Sequence, residues 1–224
     1  MKNNNGDLRD ERKDYKLNEL TRAGLADDPV SMFTDWMDAA RKADIIDATA
    51  MTLATASANG TPSARIVLLK QFSDAGFYWY TNYDSRKGRE LYGNPNAALV
   101  FYWRELERQV RIEGKVSKAS AEDSDEYFFS RPPGSRFSAA ASPQSQIIEN
   151  QQWLTNRTQE LKSNYDENSL TRPHNWGGYV LTPEVYEFWQ GRPSRQHDRF
   201  QFTRQDGEQD GTKNHHWKID RLAP

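Results

Sequence analysis

Met51-Thr-Leu-Ala-Thr-Ala56, then Asn59-Gly60, then Ser63-Ala-Arg-Ile-Val-Leu-Leu-Lys70 is the stretch on which the fold turns. Two runs of strand length flank a dipeptide that favours the positive-φ conformations of a tight turn, so the segment predicts a β-hairpin. Beyond it, residues 77–81 and 98–103 are aromatic-rich and strand-like, and residues 109–116 alternate as another strand. Residues 178–181, 185–189, 200–204 and 217–221 close the chain as further strands. Asp28-Pro29 opens a helix on which Val30, Phe33, Trp36, Met37 and Ala40 recur at helical spacing. Shorter helices are expected over residues 85–92 and 120–129. A longer one is expected after Ser142-Pro143, with Trp153 and Leu161 on one face. Many short strands with few helices predict a mainly β barrel with peripheral helices, and residues 1–25 form a polar, mobile arm ahead of it.

A chain of 224 residues can bury a real core in one domain. The formal net charge of -2 argues against a nucleic-acid binder acting through bulk charge, so basic residues matter only where they cluster. The absence of cysteine excludes thiolate metal sites, disulfides and a Cys nucleophile, and is compatible with a reducing cytoplasm. The start Met1-Lys2-Asn3-Asn4-Asn5-Gly6 leads into a charged run with no apolar h-region, so no secretory signal is expected. No apolar run approaches the roughly 18 residues of a spanning helix. Seven tryptophans in so polar a chain suit flat ligands or a subunit interface.

Four clusters carry the chemistry. Trp189-Gln-Gly-Arg-Pro-Ser-Arg-Gln-His-Asp-Arg199 packs three arginines, a histidine and an aspartate beside an aromatic ring. Taken alone it fits either a solvated hairpin tip or one wall of a pocket for an anionic, ring-containing ligand. Arg65 and Lys70 sit five apart on a strand, hence on opposite faces, as separate ligands or as edge charges that discourage aggregation. Ser85 reads as an N-cap that puts Arg86 and Lys87 in the first turn, where the macrodipole disfavours cations unless an anion sits there. Ser142-Pro143-Gln144-Ser145 repeats the capping pattern with two uncharged donors. Tyr127, Arg131 and Ser135, spaced by four and rejoined by Pro132-Pro133-Gly134, make either a phosphate clamp or a capped helix end. No GxGxxG, Walker loop, GxSxG elbow or metal-spaced histidine appears, which leaves an organic cofactor to carry the chemistry.

Arg65-Ile-Val-Leu-Leu-Lys70, Tyr80-Thr81-Asn82, Ser85-Arg86-Lys87, Glu107-Arg-Gln-Val110, Ser130-Arg131-Pro132, Gln144-Ser145, Phe188-Trp-Gln-Gly191, Arg195-x-His197-Asp198-Arg199 and Trp217-Lys-Ile-Asp-Arg-Leu-Ala-Pro224 follow one another in order. From about Tyr15 to the last residue, this succession closely resembles the pyridoxine/pyridoxamine 5'-phosphate oxidase family. The resemblance implies a homodimeric split β-barrel, residues 26–224, with FMN at the subunit interface. It implies oxidation of pyridoxamine or pyridoxine 5'-phosphate to pyridoxal 5'-phosphate, with O2 reduced to H2O2.

By matching positions, FMN would be held by Arg65, Ile66, Val67, Leu68, Lys70, Tyr80, Thr81, Arg86 and Lys87. The partner subunit would add Gln109, Gln144, Ser145, Trp189 and Arg199. Substrate phosphate would fall to Lys70, Tyr127, Arg131 and Ser135. Arg195 and His197 would act over the pyridine ring as the catalytic pair, and Arg12 and Tyr15 would come from the N-terminal arm. Arg195 and His197 are two apart and would share one face of an extended strand, with Asp198 facing away from that ring to pair with a neighbouring cation, Arg199 or an arginine across the hairpin. The chain departs from the family pattern at Gln196, where Leu is usual, and at Phe137, Ser138 and Ala140. The competing readings are a related split-barrel flavoenzyme with another substrate, and a non-catalytic flavin or pyridoxal-phosphate carrier.

Overall fold

The computed structural model describes residues 14–209 and 212–224. In chain order the elements are α1 (Pro29–Lys42), β1 (Ala50–Ala56), β2 (Pro62–Leu68), β3 (Gln71–Ser73), β4 (Gly76–Asn82), α2 (Arg86–Gly93) and β5 (Asn96–Trp103). There follow β6 (Arg108–Lys118), α3 (Ala121–Ser130), α4 (Pro133–Ala141), α5 (Gln151–Asn164), β7 (Trp176–Gln190), β8 (Asp198–Gln209) and β9 (Thr212–Leu222). Hydrogen bonds order the strands β2-β1-β5-β6-β7-β4-β3, and β8 pairs with β7 and β9. The architecture is mainly β with peripheral helices, as the strand pattern predicts, and is the split barrel that the resemblance implies. No helix among the described residues is long and apolar enough to cross a membrane.

The contacts divide the chain into two compact units. One holds residues 49–101 and 111–185. Its hairpin pairs β1 with β2 from Ala50↔Leu68 to Ala56↔Pro62, around the Asn59-Gly60 turn with Gly60 at φ 86°. β1 alternates buried and half-buried residues, the period-2 signature of a strand with one face on a core. Leu53, Phe77, Trp79, Leu99, Ile112 and Leu181 form that core, each fully buried. Every such side chain contributes about 1.5–3 kcal/mol of burial. A second cluster, Phe128, Phe137, Leu170 and Trp176, packs the helices and carries Tyr80 and Tyr127 on its margin.

The other unit holds the described residues up to 48, residues 102–110 and residues 186–224. Asp28 caps α1 by accepting from the Ser31 N–H at 2.7 Å, and Pro29 occupies the first turn, as the sequence predicts. Phe33, Trp36 and Met37 are buried, with the Trp36 ring edge-on to Phe188 at 5.3 Å. β8 and β9 form a long hairpin running from Arg199↔Leu222 to Gln209↔Thr212.

Three local expectations fail for identifiable reasons. Residues 178–181 and 185–189 belong to one strand, β7, which runs through Pro183. The β4 ladder covers only Trp176 to Leu181, so the missing Pro183 N–H breaks no bond in it. Ser142-Pro143 starts no helix. Ser142 instead ends α4, and Pro143 opens a turn closed by Gln146 N–H to Pro143 O at 3.0 Å, with Ser145 at φ 68°. The helix signal of that region lies earlier, at Pro133, and later, at Asn150, whose side chain accepts from the Trp153 N–H at 2.8 Å. Finally, Arg195 does not lie on an extended strand. Residues Pro193–Arg195 form a tight turn with Ser194 at φ 55° and Arg195 at φ 60°, and β8 begins only at Asp198. The two-residue spacing of Arg195 and His197 therefore puts them on no common strand face.

Gly88 shows how tightly α2 is seated. A Cβ there would fall inside the van der Waals radius of the Tyr83 carbonyl oxygen, a backbone atom that cannot swing away. Gly88→Ala is expected to cost about 1–3 kcal/mol of stability through overpacking, read as a lower midpoint in denaturant.

Candidate functional site

In the unit that contains the hairpin, Ser85 caps α2 and Lys87 follows in its first turn. Lys87 is buried, 8% exposed, and its Nζ donates to Gln144 Oε1 at 3.0 Å, Thr81 Oγ1 at 3.2 Å and Ser85 Oγ at 3.3 Å. All three acceptors are neutral. Burial, reinforced by the nearby Arg65 charge, pulls the ammonium pKa down to about 8. A desolvated cation among neutral oxygens at a helix start suits an anionic ligand. Thr81 Oγ1 also donates to Gln144 Oε1 at 2.9 Å, which fixes the amide. The resemblance assigns Gln144 to the partner subunit's contribution; here the same side chain reaches Thr81 and Lys87 of its own chain.

Glu90, one helical turn beyond Arg86, was missed in the sequence. It gathers the remaining cations of this region. Its Oε1 accepts from Arg86 Nε at 2.9 Å, and its Oε2 from Arg65 Nη2 at 3.2 Å, Ser63 Oγ at 2.6 Å and Thr55 Oγ1 at 2.5 Å. Burial alone would raise its pKa, but the Ser63, Thr55, Arg86 and Arg65 hydrogen bonds prevail and hold it at about 2. Arg65 also donates to Thr55 Oγ1, Ser63 Oγ and the Leu53 carbonyl, so strands β1 and β2 clamp its guanidinium. The Arg86–Glu90 spacing of four was the legible signal.

A cavity of about 290 Å³ lies beside this network, lined among others by Tyr80, Thr81, Tyr127, Arg131, Gln144 and Trp176. Tyr80 and Tyr127 stack at 3.9 Å, and the Arg131 guanidinium lies 4.8 Å over the Trp176 ring. Arg131 Nη1 is buried and has no hydrogen-bond partner among the described residues, a costly state that an anionic ligand would relieve. Burial lowers the Arg131 pKa and pushes the Tyr80 phenol up to about 12. A larger cavity of about 480 Å³ shares Asn82 and Ser142 with the first, but its Arg157 donates Nε to the Ala141 carbonyl. Arg131 lines the smaller one only, which makes it the candidate for an anionic ligand.

In the other unit, Tyr15 meets Trp189 and His197 edge to face, and the Trp189 and His197 rings are tilted to one another. The Tyr15 ring is 5.5 Å from Trp189 and 5.6 Å from His197, and Trp189 lies 4.7 Å from His197. Gly191 permits this approach, since a Cβ there would sit 2.7 Å from Tyr15 Cγ. The arm is pinned behind Tyr15: Glu107 Oε2 accepts from the Lys16 and Leu17 N–H groups at 2.8 and 3.1 Å, and Asp198 Oδ2 from the Leu20 N–H at 3.0 Å. His197 Nδ1 accepts from the Arg192 N–H at 3.1 Å, so the neutral ring carries its proton on Nε2. Burial and Arg195 both lower the His197 pKa, which favours that neutral form. Asp198 pairs with Arg221 across the β8–β9 hairpin at 2.5 Å, the kind of partner expected of it, and with Arg192 at 3.5 Å. Arg199 Nε donates to buried Glu187 at 2.9 Å and its Nη1 to the Ala223 carbonyl at 2.8 Å. That bond ties Ala223 to the start of β8.

The remaining predicted residues are placed less closely. Ile66 and Leu68 are exposed on β2, 65% and 40%, with Val67 half-buried between them. Lys70 follows β2 instead of lying in it, and its Nζ sits 5.9 Å from the Tyr127 ring centroid. Ser135 lies in the first turn of α4, bonded through its N–H to Pro132 O at 2.9 Å, and does not line the Arg131 cavity. Gln109 is half-buried on β6, while Ser145, Arg195 and Gln196 are exposed. Arg12 lies outside the described residues.

Residues 37–165 match the pyridoxamine 5'-phosphate oxidase family, and residues 176–224 match the pyridoxine 5'-phosphate oxidase C-terminal dimerisation region. A pyridoxine/pyridoxamine 5'-phosphate oxidase from Salinibacter ruber is 50% identical over 97% of this chain and 99% of its own length. One from Paraburkholderia phytofirmans is 51% identical over 95% and 97%. Among solved structures, PhzG from Burkholderia lata 383, in complex with tetrahydrophenazine-1-carboxylic acid, superposes with a TM-score of 0.81 at 29% identity, covering 93% of this chain and 99% of PhzG. A pyridoxamine 5'-phosphate oxidase-related, FMN-binding protein from Nostoc punctiforme shares the fold, with a TM-score of 0.68 at 16% identity over 89% of this chain and all of its own.

Proposed function

The chain belongs to the pyridoxamine 5'-phosphate oxidase family of oxidoreductases, and from that premise we propose that it oxidises pyridoxamine and pyridoxine 5'-phosphate to pyridoxal 5'-phosphate with FMN and O2. The observation that carries the phosphate-bearing substrate is Arg131, which lines the cavity with Tyr80 and Tyr127 and whose buried Nη1 has no hydrogen-bond partner among the described residues. Lys87 and the Arg65–Glu90–Arg86 network supply a second cation set, in keeping with two phosphorylated ligands, with Lys87 reaching Thr81 and Gln144 at the margin of the Arg131 cavity. The fit extends to the donor chemistry: a desolvated ammonium flanked by hydroxyl and amide oxygens suits the flavin phosphate.

FMN, when bound, would supply the redox chemistry, a two-electron oxidation of the substrate carbon with O2 as acceptor and H2O2 as product; the amine substrate additionally consumes water and releases ammonia. The protein's share is positioning. Lys87, Arg65, Arg86, Thr81 and Gln144 hold the flavin phosphate end. Arg131 donates its N–H groups to the substrate phosphate, with Tyr127 and Lys70 beside it. His197, locked by Arg192 N–H with its proton on Nε2, offers a neutral donor to the pyridine ring, and Arg195 an exposed cation. The protein works as a cytoplasmic homodimer, a reading supported by the match to the dimerisation region and by exposed apolar side chains such as Ile66, Tyr102 and Ile147.

Adding pyridoxamine 5'-phosphate to the FMN-loaded protein, while following peroxide and the aldehyde absorbance, tests the reading. Stoichiometric peroxide and aldehyde are expected, and neither product would end it. The likeness to PhzG favours a second reading, a flavoenzyme acting on a tricyclic carboxylate without phosphate. Turnover of such a substrate at a rate unaffected by loss of Arg131 would select it.

Lys87 also sets a pH dependence. In the ligand-free protein its pKa is about 8, and a bound anion favours the ammonium and raises that value. Between the two values binding takes up a proton, so FMN affinity is level below about pH 8 and falls above it. The slope approaches roughly one decade per pH unit by linkage. Fluorescence titrations between pH 6.5 and 10 check this, with riboflavin, which lacks the phosphate, showing no such fall.

A further inference from the structure

We propose that Glu90 is a positioning residue for flavin-phosphate recognition, organising Arg65 and Arg86 into one fixed cation pair in front of α2. This inference rests on the flavin reading above. An acid beside a phosphate site is, by charge alone, unfavourable: it repels the dianion it adjoins. Glu90 is nonetheless buried there, its side chain 8% exposed, and spends both oxygens on the two arginines. Its Oε2 is shared by Arg65 Nη2 and by the Thr55 and Ser63 hydroxyls, which themselves accept from Arg65. The result is a closed ring of donors and acceptors across β1, β2 and α2 that leaves the guanidinium one orientation. Arg86, 59% exposed at its side chain, has its Nε held by the same carboxylate. Without it, a long exposed arginine would lose rotamer freedom only on binding, at a cost to affinity.

Glu90 has a further effect on the buried neighbour. Arg65 depresses the Lys87 pKa, and Glu90 opposes that depression. The carboxylate thus keeps Lys87 charged while it gathers the arginines, and the region retains a net positive charge.

Two views of Glu90 predict opposite signs. If it were only a neighbouring negative charge, Glu90→Gln would tighten FMN by removing repulsion. As a positioning residue, Glu90→Gln weakens FMN at least tenfold, leaves the riboflavin dissociation constant unchanged within twofold, and moves the alkaline fall in FMN affinity to lower pH. Titrating flavin-free protein with FMN and with riboflavin reads all three. Unchanged or tighter FMN binding overturns the proposal, and so do parallel losses for both flavins, which would mean general damage to the fold. Glu90→Asp retains the charge with a shorter reach, and decides by the same FMN-against-riboflavin comparison should the amide variant not fold. If the unsubstituted protein itself fails to prefer FMN over riboflavin, the flavin reading falls and takes the proposal with it; a loss of preference only in the variants supports it.

Discussion

Lys87→Met is expected to weaken FMN binding by roughly 10- to 150-fold, the about 1.5–3 kcal/mol of a hydrogen bond to a charged group. Methionine fills nearly the same volume with an apolar, unbranched stem, so packing around α2 is retained. What disappears is an ammonium that folding has desolvated without giving it a carboxylate partner among its hydrogen bonds to Thr81, Ser85 and Gln144. Below about pH 8 that buried charge costs the flavin-free protein stability, because the unfolded chain binds the proton more readily than the folded one. The variant's flavin-free form should therefore melt at the same temperature as the unsubstituted protein or higher, while its flavin affinity collapses. Thermal melts and FMN titrations on one preparation check the two together. A variant that binds FMN normally would remove Lys87 from the site.

Arg131→Ala is expected to raise KM for pyridoxamine 5'-phosphate by about 10²-fold, with kcat little changed and FMN still bound. The guanidinium lies over Trp176 and lines the cavity, and its buried Nη1 has no hydrogen-bond partner among the described residues. Its interaction with a phosphate remote from the reacting carbon should be equally strong in ground and transition states, so the loss falls on KM. The magnitude follows from charge-assisted hydrogen bonds at roughly 1.5–3 kcal/mol. Steady-state kinetics with parallel flavin absorbance measure it. If FMN were lost in step with substrate affinity, the two anion sites would have been assigned the wrong way round.

Local pattern made much of this molecule legible. Asn59-Gly60 between two strand-length runs is the β1–β2 hairpin, Asp28-Pro29 is the α1 start, and Ser85 is the α2 cap. These features depend on residues a few positions apart, where turn chemistry, capping and hydrophobic period act directly on the backbone. The same local rules misplaced what other parts of the chain decide. Ser142-Pro143 has the chemistry of a helix start, yet α4 already ends at Ser142, and Pro143 turns the chain so that Gln144 reaches Lys87. Arg195 and His197 are spaced for one strand face, but two successive positive φ angles at Ser194 and Arg195 break the strand before it begins.

The sequence by itself determined the strand and helix content, the split-barrel class and, through its ordered motifs, the family. Apart from Arg86–Glu90 at helical spacing, tertiary structure decided which charges of the site are paired. Glu90 meets Ser63 across 27 positions, and Glu107 meets the arm's Lys16 across 91. Arg86 and Arg65 are tied to a carboxylate, whereas Arg131 keeps a buried N–H without a partner. The physical reason is that periodicity and capping encode where the backbone goes and which face is apolar. The energy of a charge depends on its desolvation and on partners that only packing brings within 3–4 Å.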